Sequence, residues 1–206
     1  MLRFSEDKSI VLLDVPGVGE SPERDKRYVR LYQSLLPNVD LLLWVLRADD
    51  RALTIDLHAW KDLVRPYQKK GSPVLIVLNQ VDRINPVRGW DTEQKCPGPE
   101  QVAVLSGRVE VVAREFAVPK DLIVPVSAVE GYGISALVEQ VVYRLPKDKK
   151  LPFLKAVREE RQTPAAIEEA EKGFIEAVTE WAQVAFKTVK PYIPTIVEIL
   201  RIIFGR

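Results

Sequence analysis

The sequence holds one cysteine, one histidine and one methionine among 206 residues. A single thiol, Cys96, cannot close an internal disulfide, so a reducing compartment is the simple expectation. Its setting, Lys95-Cys96-Pro97-Gly98, brings no second thiol and no histidine for a metal. His58 falls inside a helical pattern beside Leu57, Ala59 and Trp60, and without a partner group it reads as structural or solvated. Excess charge is missing too: 30 basic residues face 29 acidic ones, for a net +1, which gives no electrostatic case for nucleic acid. The opening Met-Leu-Arg-Phe-Ser-Glu-Asp-Lys has no apolar core of signal-peptide length, and cytoplasmic is the default expectation. What is present is a globular composition, 47% hydrophobic and 29% charged, in a chain long enough for one domain with an appendage.

Four short runs are apolar on both faces: Ser9 to Asp14, Asp40 to Leu46, Pro73 to Asn79 and Leu122 to Val126. Helices on both sides of a parallel sheet demand such strands. Helical patterns lie between them, at about Glu23 to Leu36, Leu53 to Lys70, Glu100 to Phe116 and Ile134 to Leu145. The alternation predicts a three-layer α/β fold with a mostly parallel, doubly wound sheet. Ile84 to Pro99, rich in proline and glycine, reads as a surface loop or lid. Pro146-Lys-Asp-Lys-Lys150 reads as a solvated break, and from Leu151 onward the character is helical only.

Ligands of open α/β sheets sit beyond the carboxyl ends of the strands. Three polar clusters fall there: Asp14-Val15-Pro16-Gly17, Asn79-Gln80-Val81-Asp82 and Ser127-Ala128. Their chemistry suits a guanine nucleotide. Asp82 can accept hydrogen bonds from guanine N1 and N2, Asn79 can meet the purine edge and tie loops together, and the Ala128 N–H can donate to O6. Asp14 suits a contact to Mg²⁺, and Gly17, lacking a side chain, allows its N–H close to a terminal phosphate.

In this order the clusters resemble the third, fourth and fifth motifs of the translation-factor-type P-loop GTPases, nearest the Era/TrmE-like bacterial group. The third motif there often reads Asp-x-Pro-Gly, as Asp14 to Gly17 does. The loop Asn85-Pro86-Val87-Arg88-Gly89-Trp90-Asp91 is similar to that of a subgroup of uncharacterised Era-like GTPases in bacterial genomes and prophages. The resemblance covers roughly residues 5 to 146. It implies GTP or GDP and Mg²⁺ as ligands, with Asn79, Gln80, Asp82, Ser127, Ala128, Asp14 and Gly17 at the nucleotide and Asp14 toward the metal.

Three departures limit that inference. Gln80 stands where the group usually carries Lys, whose stem covers the base. Val18 stands where Ras-like members place a water-orienting Gln, as apolar residues often do in Era-like members. Nowhere is there a Gly-x-x-x-x-Gly-Lys-Ser/Thr loop, and after Leu151 only Gly173 and Gly205 remain to build one. Such a loop supplies backbone N–H groups, a Lys and a Mg²⁺-holding hydroxyl. At about 1.5–3 kcal/mol per charge-assisted bond, its loss removes roughly 6–9 kcal/mol, or about four to six decades of affinity. No catalytic residue is assigned, and although the resemblance implies a GTPase, weak or no GTP hydrolysis is expected of this chain alone. The resemblance also places the missing first strand between the strands at Ile10 and Leu41, leaving unpaired edges. Met1 to Phe4 reads as the tail of a preceding antiparallel strand. The expectation is an incomplete copy, produced by truncation, a mis-set start codon or decay.

The expected division is a partial G domain over 1–146 and a helical extension over 147–206. Phe174 to Val189 is amphipathic, and Tyr192 to Phe204 is apolar nearly all round but too short to span a bilayer. The extension reads first as packing on the domain. The competing function is a non-enzymatic module whose helices bind a protein partner or lie peripherally on a membrane surface.

Overall fold

The computed structural model describes residues 2–3, 11–15, 22–50 and 53–189. The Tyr192 to Phe204 helix expected from the sequence, with the break at Pro191 and Pro194, lies outside them. In chain order the main elements are β1 (Leu2–Arg3), β2 (Val11–Leu12), α1 (Pro22–Leu35), β3 (Leu42–Arg47), α2 (Thr54–Ala59), α3 (Arg65–Gln68) and β4 (Val74–Asn79). They continue with β5 (Trp90–Asp91), β6 (Cys96–Pro97), α4 (Pro99–Phe116), β7 (Ile123–Pro125), α5 (Ile134–Arg144), α6 (Lys147–Ala156) and α7 (Pro164–Val189). The fold class is α/β, as expected, with a three-stranded parallel sheet of order β3-β4-β7.

The central strand, β4, is Val-Leu-Ile-Val-Leu-Asn, and its five apolar residues are all buried. Its alternate side chains enter two cores, as the period-two geometry of a strand requires. Val74, Ile76 and Leu78 join Trp44, Leu46, Trp60, Val112 and Phe116 on one face. Leu75 and Val77 join Val124, Val126 and Val141 of α5 on the other. Between α2 and α3 the chain widens into a π-helical turn, Trp60–Val64. Trp60 is fully buried there, and its indole N–H donates to the Phe116 carbonyl at 3.1 Å. Both Trp44 and Trp60 are therefore core residues, as their patterns indicate.

Two expectations change. The first apolar run does not join the parallel sheet among the described residues. Val11–Leu12 pairs antiparallel with Leu2–Arg3 in a separate hairpin, and Val11, Leu12 and Leu13 stay exposed. The antiparallel pairing of Leu2–Arg3 is as anticipated. The second correction concerns the Pro146 to Lys150 stretch, which from Lys147 onward is the helix α6 rather than a solvated break. Its Lys150 is buried and pairs with Glu169 of α7, while Lys147 bridges Glu176 at 2.9 Å and Glu180 at 2.7 Å. Those two carboxylates, Glu180 foremost, raise the Lys147 pKa. Leu154 of α6 meets Val138 and Val142 of α5 and the small Ala166 and Ala170 of α7 in a third apolar cluster. The charges that look solvated in sequence are used to join two helices. No helix among the described residues is long and apolar enough to cross a membrane.

Candidate functional site

At the carboxyl edge of the sheet Asn79 connects three strand ends. Its side-chain oxygen accepts the Gln80 N–H at 2.8 Å and the Ala128 N–H at 3.2 Å. Its backbone carbonyl accepts the Ala48 N–H, just past β3, at 2.7 Å. One amide side chain thus holds the two loops that carry the Asn79-to-Asp82 and Ser127-Ala128 clusters.

Gln80 adopts the left-handed region, φ 64° and ψ 37°, which is costly for a residue with a Cβ. It is held by the bond to Asn79, by the Val81 N–H donating to the Val126 carbonyl at 3.2 Å, and by Arg83 N–H donating back to the Gln80 carbonyl at 3.0 Å. The Gln80 side-chain oxygen is buried without a hydrogen-bond partner. Such an orphan acceptor is uncommon in folded proteins and marks a place where polarity is unspent. Asp82 follows on a single 3₁₀ turn, Val81–Arg83, half-buried. No described residue takes its carboxylate as a hydrogen-bond or ion-pair partner.

The loop after β7 is closed by its own backbone. The Ser127 N–H donates to the Tyr132 carbonyl at 3.0 Å, the Gly131 N–H to the Ser127 carbonyl at 2.8 Å, and the Glu130 N–H to Ser127 Oγ at 3.3 Å. Ser127 is fully buried, so its side chain shapes the loop from within. Gly133 closes the turn at φ +71°, where an added Cβ would lie 2.2 Å from the Pro125 carbonyl oxygen. Ala128 is exposed at the tip. Its N–H is already engaged by Asn79, so a ligand oxygen arriving there shares that hydrogen or displaces the amide.

Two of the three sequence clusters therefore come together; of the third, Val15 packs against the larger core. Asp14 is exposed on the chain leaving the separate hairpin. Burial, and secondarily the charge of Asp14, raise the pKa of Tyr32 on α1. Gly17 lies outside the described residues. Beyond β3, Arg47 forks onto Asp49 at 3.1 and 2.8 Å, and that hydrogen bonding lowers the Asp49 pKa. The Asp82 carboxylate, an acceptor, and the Ala128 N–H, a donor, thus lie on two loops joined through Asn79, whose own side-chain oxygen is already engaged. The described residues contain no group of three metal-ligating side chains.

Sequence reasoning missed three supports. The Trp90 ring meets Tyr132 edge-on, with centroids 5.9 Å apart, so the 84–98 segment lies against the Ser127 loop. Gln101, fully buried on α4, donates to the Ile84 carbonyl at 2.8 Å and pins the start of that segment. Arg161, between α6 and α7, donates to the Gly131 carbonyl at 2.9 Å.

Fold and edge define an α/β domain with polar groups gathered at the strand ends. No family model matches the chain. It is 33% identical over 176 residues to the uncharacterized protein YkfA of Escherichia coli, covering 84% of this chain and 58% of YkfA. It is 24% identical over 152 residues to the GTPase Era of Aquifex aeolicus, covering 72% of this chain and 44% of that protein. A crystal structure of an Aquifex aeolicus Era variant bound to GDP·AlF4⁻ superposes with TM-score 0.46 at 22% identity, over 65% of this chain and 39% of the other. The chain has distant similarity to Era GTPases, and it spans just over half the length of YkfA.

Proposed function

We propose that this chain carries the base-reading part of a guanine-nucleotide-binding domain. The observation that supports the reading best is the Asn79 side chain bonded to both Gln80 and Ala128, with the unpartnered Asp82 carboxylate on the same loop. In this reading Asp82 accepts from guanine N1 and N2, the Ala128 N–H serves O6, and Gln80 covers part of the ring where Lys is usual in the group. An adenine would set its N6 amine against the Ala128 N–H and offer Asp82 no matching pair of hydrogens, so the site discriminates. Phosphate and Mg²⁺ binding would draw on Asp14 and Gly17, but the 206 residues contain no phosphate-gripping loop. The proposal is therefore limited to base recognition, with weak affinity and weak or no GTP hydrolysis by the chain alone.

A fluorescent GDP analogue, competed with GTP and ATP, tests this reading. Guanine-selective binding that Asp82→Ala weakens at least about tenfold supports it, since a hydrogen bond to a charged group is worth about 1.5–3 kcal/mol. Binding indifferent to the base, or to Asp82, sinks it.

A second reading has its own observation. Phe174, Ile175 and Val178 of α7 are exposed, Ile175 at 64%. An amphipathic face of that kind serves a non-enzymatic module binding a protein or a membrane surface. Co-sedimentation with anionic vesicles, lost on Ile175→Glu, would favour that module over nucleotide binding; equal sedimentation of both proteins would remove the membrane version.

A further inference from the structure

The turn between α6 and α7 is bound more firmly than a connector requires. Gln162 donates to the Leu154 and Val157 carbonyls at 3.0 and 2.8 Å, closing the end of α6. Thr163 donates to Glu139 of α5 at 2.5 Å and accepts the Ala166 N–H at 3.1 Å, capping α7. The 3₁₀ turn Glu159–Arg161 is thereby held over the Ser127 loop. From it the Arg161 guanidinium reaches the Gly131 carbonyl at 2.9 Å, thirty residues away in sequence. The fit is close: a Cβ on Gly131, at φ +76°, would stand 2.8 Å from the second guanidinium nitrogen.

The Gly131 peptide is not a bystander. Its N–H is bonded to the Ser127 carbonyl, and the Ser127 N–H returns to Tyr132, so the Gly131 carbonyl lies inside the ring of bonds that sets the direction of the Ala128 N–H. On the other side, Trp90 braces Tyr132. The loop is thus held between the domain's own 84–98 segment and a cation supplied by the helical extension. A cation donating to a carbonyl makes a stronger bond than neutral groups do, and it restrains the peptide plane to which the carbonyl belongs.

We propose that Arg161 is a positioning residue for base recognition, coupling the α6–α7 pair to the O6-facing loop. The inference rests on the base-reading role proposed for that loop. It makes the extension part of the site: a shift of α6 and α7 relative to α5 releases Gly131, and ligand at Ala128 is linked in return to the placement of those helices.

The test uses the full chain, Arg161→Ala and Arg161→Lys, with Arg158→Ala as a control at an exposed neighbouring arginine. Amide hydrogen exchange without ligand, and affinities for GDP and 6-thio-GDP, are measured on all four proteins. The thio analogue keeps the N1 and N2 hydrogens and presents a poorer acceptor at position 6. In Arg161→Ala, exchange over 127–133 should rise at least about tenfold while Ala166 to Ala170 stay protected, and Arg161→Lys should restore part of the protection. GDP affinity should fall about tenfold and 6-thio-GDP affinity much less, shrinking the preference for oxygen over sulfur. Unchanged exchange in the loop overturns the inference, and so does an equal loss for both nucleotides. If the unaltered chain binds neither nucleotide, base reading fails and the positioning role falls with it. A change in exchange confined to 127–133 would then show that Arg161 orders the loop for another purpose, which separates the two failures.

Discussion

Strands β3 and β4 carry the same residue types opposite one another, in two different environments. Leu43 pairs in register with Leu75, and Val45 with Val77. Leu75 is 0% exposed and Val77 5%, whereas Leu43 is 36% and Val45 58% exposed. The difference lies in the next layer. Helix α5 covers the Leu75–Val77 face of the central strand, and no described element covers the Leu43–Val45 face of its neighbour. β3 is also an edge. The Leu42 and Ala48 N–H groups donate toward β4, so by alternation those of Leu43 and Val45 face the open side. A strand's apolar character shows that it can be buried; what buries it is decided elsewhere in the molecule.

Matched substitutions on the two strands sharpen or break this contrast. The largest effect is expected for Leu75→Ala, a loss of about 2–5 kcal/mol by denaturant unfolding, against roughly 1 kcal/mol or less for Leu43→Ala. Next comes Val77→Ala at about 2 kcal/mol, against under about 0.5 kcal/mol for Val45→Ala. Equal losses within either pair would mean that the β3 face is covered in solution. The smallest effect needs no substitution: backbone amides of Leu43 and Val45 should exchange well before that of Val77, and equal protection would reveal a partner on the open edge.

The same contrast runs through what the sequence discloses. β4 is legible because two-sided burial leaves an unbroken apolar run, and the place of Asn79 and Asp82 at its carboxyl end is legible because that run stops there. The position of Ser127-Ala128 beside Asn79 follows from the same strand-end placement. The left-handed Gln80 is not legible, since a Gln there obeys no turn rule and is held by the distant Val126 and the neighbouring Asn79. Nor is the start of α6, whose Pro146-Lys-Asp-Lys-Lys150 run reads as a break. In the fold its Lys147 and Lys150 find carboxylates on α7, and its Leu154 an apolar cluster, none of which the local sequence displays. Arg161 was hidden for the same reason: a lone arginine between helices says nothing of a carbonyl thirty residues back.

Trp90 gives the molecule a built-in optical label. Trp44 and Trp60 lie edge-on in the core with ring centroids 5.9 Å apart, screened from solvent. Trp90 is only half-buried and rests on Tyr132, within the loop that would receive the base. A ligand that tightens or loosens that loop alters the polarity around one indole and leaves the core pair dark to the event. Emission difference spectra between the parent chain and Trp90→Phe would then report loop closure without any attached dye.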